Sequence, residues 1–130
     1  MSSPKIDRTR MISLLLEADP SLKEPWDEFI EEWCDEPEIP HYIVLGDFAR
    51  HLVQQLEVGR TERFRAVFNV IETLQLNGDE YVQEAAVIGL LEDLQNGHLH
   101  TTTTRDDFVP WLEPESLKAW KALIKFWYGS

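Results

Sequence analysis

Apolar residues recur along this chain at intervals of three and four almost without interruption, which is the period of an α-helix. Ile6 to Glu17 reads as a first short helix, stopped by Asp19-Pro20. Ser21 then stands as an N-cap with Glu24 three residues on, a capping-box arrangement, and Pro25 falls in the first turn, where a missing N–H costs little. Trp26, Phe29, Ile30 and Trp33 follow at i, i+3, i+4 and i+7 and share one face, while Asp27, Glu28, Glu31, Glu32 and Asp35 centre on the other. Asp35 to Pro40, with prolines at 37 and 40, makes a stiff extended connector.

Leu45, Phe48, Ala49, Leu52, Val53 and Leu56 then repeat the helical spacing from His41 to Val58, with Gly59 as the stop. Thr61 caps a helix carrying Phe64, Val67, Phe68, Ile71 and Leu74; Asn77-Gly78 ends it and Asp79 caps the next, giving a helical hairpin. In the helix from Glu80 to Gln95, Ala85 to Leu91 is apolar on every side. Such a helix is central, and its alanines and Gly89 admit another helix closely. A buried strand would show the same run, but the polar flanks and the length favour helix. Asn96 to Thr104 reads as a loop, and Asp106 or Asp107 caps a short turn holding Phe108 and Trp111. Pro114-Glu115-Ser116 opens a last helix with Leu117, Trp120, Leu123, Ile124 and Trp127 on one side and Lys118, Lys121 and Lys125 on the rest. The expected fold is all-α: one domain over residues 1–130, six or seven helices in antiparallel hairpins around a central apolar helix at about 80–95.

Charge changes this picture more than composition does. The 130 residues carry 24 acids against 12 Lys and Arg, a net charge of −12. That balance disfavours nucleic acid and anionic membrane surfaces as partners, because both require a surplus of bases. Five tryptophans and 43% hydrophobic residues exclude a disordered acidic tail. The single cysteine, Cys34, leaves no internal disulfide. The basic segment Met1–Arg10 is followed by only a short apolar run, and no stretch is long enough to span a bilayer, so the expectation is a soluble cytoplasmic protein.

The acids are concentrated. Glu24 to Glu38 holds eight in 15 residues and no base, and Ala66 to Thr104 holds six more, again with no base. Like charges at i, i+4, such as Glu28–Glu32 and Asp27–Glu31, oppose helix formation. A face that carries this cost suits a basic partner, and Glu28, Glu31, Glu32, Asp35, Glu36 and Glu38 are the expected contacts, with Trp111 as a partly exposed anchor. His98 and His100 form an H-x-H pair that suggests a metal ligand pair or, more simply, a polar loop. Glu92-Asp93 project about 100° apart on a helix, which suits a surface or capping role better than a paired acid and base. No phosphate loop, nucleophile elbow or zinc-protease motif is present, so neither a catalytic residue nor a cofactor is expected.

Two stretches carry a resemblance. Asp79–Asn96, DEYVQEAAVIGLLEDLQN, resembles a HEAT-type helix. Gly89–Asn96, GLLEDLQN, with Phe108–Trp127, FVPWLEPESLKAWKALIKFW, resembles small acidic bacterial proteins of the toxin-immunity kind, over the chain from Phe64 onward. The resemblance implies a protein that binds and neutralises a toxin, a nuclease or another enzyme with a basic cleft, and it supplies no catalytic residues. A HEAT-like scaffold or adaptor is the alternative, and a small enzyme or metal protein built on His98, His100 and carboxylates is a third.

Overall fold

The computed structural model describes residues 5–129; Met1–Pro4, part of the segment read for a leader, lie outside them. Among those residues there are seven α-helices and no strand. They are α1 (Arg8–Ala18), α2 (Lys23–Trp33), α3 (His41–Glu57), α4 (Phe64–Asn77), α5 (Glu80–Glu84), α6 (Glu92–Leu94) and α7 (Pro114–Tyr128). Between α5 and α6 the chain does not break. Ala85–Leu91 is wound as a π-helix, with the Glu92 N–H donating to the Val87 carbonyl five residues back. These three pieces form the central rod that the apolar run predicts.

The rod packs against α3, α4 and α7. Gly89 is what lets α3 approach: a Cβ there would meet Leu45 Cδ1 at 2.8 Å and Tyr42 Cδ1 at 3.4 Å. The core is continuous and aromatic at one end, where Phe64, Phe68, Phe108 and Trp120 are all fully buried: Phe64, Phe68 and Phe108 pack against one another, and Trp120 packs on Phe108. The hairpin between α4 and the rod turns at Gly78, where a side chain would collide with the Leu74 carbonyl and Val82. Ile6 braces this turn, donating its N–H to Asn77 O at 3.0 Å and accepting from Asp79 N at 2.9 Å.

That bracing is why the first helix starts at Arg8 rather than Ile6; Asp7 caps it by accepting from Arg10 N at 2.8 Å. Three further expectations are corrected. Asp19, not Ser21, is the cap before α2: its carboxylate accepts from both Ser21 N and Ser21 Oγ, opening a 3₁₀ turn at Pro20–Leu22. Thr61 does not cap the helix that follows it: that helix begins at Phe64 with Arg63 at its cap position, after a turn in which Phe64 N donates to Thr61 O. Trp127, placed on the core face, is 58% exposed because α7 runs past the end of the core at Leu123.

The threonine loop is pinned rather than loose. The Glu57 carboxylate, at the end of α3, accepts from Thr101 N, Thr101 Oγ1, Thr102 N and Thr103 Oγ1. These donors hold its pKa down to about 2 from 4.5.

Candidate functional site

The start of α2 is locked to α3 by a polar knot. Ser21 Oγ gives its only hydrogen to the buried Asp19 carboxylate at 2.6 Å and accepts from Gln55 Nε2 at 2.9 Å. His51 Nε2 lies 2.8 Å from the same oxygen and therefore donates to it. Beyond the knot, Phe29 is buried and stacks between Trp26 at 5.9 Å and Trp33 at 6.1 Å. The apolar face of α2 is thus turned to the core, as its spacing predicts, with Phe29 buried and Trp26, Ile30 and Trp33 half-buried against it, and the acidic face is turned out.

Glu28, Glu31, Glu32, Asp35, Glu36 and Glu38 are all exposed. Among the described residues none of them joins an ion pair; on this helix only Asp27 does, with Lys23 at 3.1 Å. Glu24, Glu28 and Glu32 succeed one another at i, i+4 and i+8 and form one wall of a groove of about 430 Å³. Asp47, Arg50, His51 and Gln54 of α3 form the other wall. Arg50 is held by Asp47 at 3.7 Å. The acid-rich end of α2 is also its C-terminus, where the carbonyl ends of the helix add negative potential instead of offsetting it.

The predicted residues therefore divide. Glu28 and Glu32 line the groove, whereas Glu31 and the connector acids Asp35, Glu36 and Glu38 are exposed but not part of its lining. Trp111 is half-buried and packs edge-on against Phe64 at 5.1 Å, lining a separate groove of about 690 Å³ with Arg65, Asn69 and Pro110. The structure does not bring it to the acids. Glu24 and the α3 residues Asp47, Arg50 and His51 complete the site; Glu24 belongs to the same acidic run, but the α3 wall carries no local signal.

The second acidic run is different in kind. Glu72 is buried, and its carboxylate accepts from Glu115 N at 2.9 Å, Ser116 N at 2.8 Å and Ser116 Oγ at 2.8 Å, closing the N-terminus of α7. Asp79 caps α5 through Val82 N at 2.8 Å. Asp93, expected at the surface, is half-buried against α3, where a Cβ on Gly46 would lie 3.2 Å from its carboxylate. Burial, and then the neighbouring Glu92, push its pKa up to about 6, against the pull of Arg50. His100 spends both ring nitrogens within the protein, on Thr103 Oγ1 at 2.7 Å and Leu94 O at 2.9 Å, while His98 is exposed.

Comparison with known proteins gives one relationship. No curated protein and no solved structure matches the chain. Residues 12–128 match the family described as Domain of unknown function (DUF7674), which covers every helix from within α1 to the end of α7. The chain belongs to the DUF7674 family.

Proposed function

We propose that this chain is an inhibitor of the immunity type, which binds a bacterial protein toxin with a basic surface through the acidic face of α2. One observation carries the reading: the outward acids of α2 are exposed, repeat at i, i+4, and, Asp27 apart, have no basic partner among the described residues. Each like-charged pair costs a few tenths of a kcal/mol in the free protein, roughly 0.2–0.5 by helix-pair measurements. A row of lysines or arginines brought against the Glu24–Glu28–Glu32 wall relieves that repulsion and adds charge-assisted hydrogen bonds. The same field steers a basic partner toward the face before contact. The knot at Ser21 and the aromatic stack at Phe29 keep the face rigid, so little ordering entropy is lost on docking.

In this reading the protein acts in the cytoplasm and has no cofactor, and its partner is a toxin domain encoded beside it. The test is calorimetric titration of that domain with the wild-type chain and with the Glu28→Lys/Glu32→Lys double variant, at low and at high salt. The expected result is a loss of roughly a hundredfold or more in affinity for the variant, with wild-type association falling steeply as salt rises. Unchanged, salt-independent affinity would refute the acidic-face mechanism.

A further inference from the structure

The central rod is apolar around its whole circumference at Ala85–Leu91, yet the chain covers only part of it. Gly89, Leu90 and Leu91 are buried among α3, α4 and α7, whereas Val87 is half-buried and Ile88 is 39% exposed. Val87, Ile88 and Glu92 form one wall of a groove of about 440 Å³, and Ala119, Ala122, Leu123 and Phe126 of α7 form the other. Phe126 is 77% exposed at its end. The rod is π-helical along this stretch, a rare winding that recurs at functional sites.

Charge identifies what fits there. All 24 acids of the chain precede Ser116, and the only charged side chains after it are Lys118, Lys121 and Lys125. All three are exposed, and none joins an ion pair among the described residues. Lys118, Ala122 and Lys125 follow at i, i+4 and i+7, so two of the lysines border the groove where Ala122 lines it. Glu92 is the one acid in the lining.

We propose that this groove docks an amphipathic helix of a partner protein, its apolar edge seated between the rod and α7 and its acidic flank on Lys118 and Lys125. A trough between two helices with a lysine rim matches the apolar anchors and charged flank of such a helix. A second copy of this chain matches it poorly. Two-fold pairing of α7 with itself would set lysines against lysines, and the acidic helix α2 already packs its apolar residues on the chain's own core, with Phe29 buried and Trp26, Ile30 and Trp33 half-buried. A bilayer is flat, and an anionic one repels a chain of charge −12. The site is independent of the acidic face, since α2 packs on α3 and this groove lies between the rod and α7.

The test uses the full chain and two labelled synthetic helical peptides, each with leucines at i, i+3, i+4 and i+7, one flanked by glutamates and one by lysines, followed by fluorescence anisotropy. The glutamate peptide is expected to bind at least about tenfold more tightly than the lysine peptide. Ala122→Glu should abolish that binding, and Lys118→Glu/Lys125→Glu should weaken it by about tenfold or more. All three substitutions are at exposed positions, and unchanged thermal melts confirm that the variants fold; Phe126→Ser, also exposed, serves as a second groove variant. Equal binding of the two peptides, or none of either, overturns the proposal. So does a dimer in light scattering that Ala122→Glu dissociates, which would make a second copy the occupant. Sedimentation with phosphatidylserine vesicles, lost in Ala122→Glu, would assign the groove to a membrane instead and also overturn it.

Discussion

The chain has two acidic runs free of bases, and the structure treats them in opposite ways. From Glu24 to Glu38 the carboxylates point outward, and among the described residues Asp27 alone has a basic partner. From Glu72 to Asp93 three of the six are committed inside the protein: Glu72 closes α7, Asp79 caps α5, and Asp93 is half-buried against α3. A run of acids is therefore not a face in itself. It becomes one only where the backbone and side-chain donors of the fold leave its carboxylates unclaimed, and that condition holds on α2.

Mutational stability should reproduce the contrast. Glu72→Ala removes the acceptor of three hydrogen bonds at a buried helix N-terminus and should cost about 3 kcal/mol in denaturant unfolding, the largest effect of the series. Glu72→Gln, which keeps an acceptor but loses the charge, should cost less than half of that. Asp79→Ala should cost about 1 kcal/mol through the lost cap on Val82 N.

Asp93 should show the reverse sign. Its carboxyl is raised to about 6 from 3.8, so the folded state favours the protonated form. The associated stability is full below pH 3.8 and is lost as pH rises through about 6. Asp93→Asn should therefore stabilise the protein by about 1 kcal/mol near pH 8, after allowing for solvent screening at its open side, and give no gain near pH 4. Melts at the two pH values check this. Glu28→Gln/Glu32→Gln should change stability least, by about 0.5 kcal/mol or less and in the favourable direction, because only repulsion is removed. A loss of more than 1 kcal/mol from that pair would place those acids with the committed ones, and the comparison would fail.

The elements were legible because each rests on local spacing. The Trp26–Phe29–Trp33 stripe, the Asn77-Gly78-Asp79 hairpin, the apolar rod and Pro114 at the head of α7 all stand where periodicity and turn chemistry put them. The misplacements involve partners distant in sequence or the shape of the whole. Glu72 looks like any surface glutamate until Ser116, 44 residues on, is folded against it. Glu57 gives no sign that it will gather the threonine loop. Trp127 repeats the spacing of Trp120, but periodicity does not say where a core ends, and α7 outlasts its support. Of the acidic site, the α2 wall follows from the pattern, whereas Asp47, Arg50 and His51 enter it only because the Asp19–Ser21–His51–Gln55 knot sets α2 beside α3.

A footprint of the bound partner tests whether the acidic face of α2 is the docking surface. Backbone amide chemical shifts of the labelled chain, recorded with and without the proposed toxin partner, report which surface is covered. The shifts are expected to concentrate on Glu24–Glu38 of α2 and its connector and on Asp47–Gln54 of α3, with Trp111 and its neighbours unmoved. A footprint centred on Trp111 and Arg65, or on the groove between the rod and α7, with α2 silent, would contradict it.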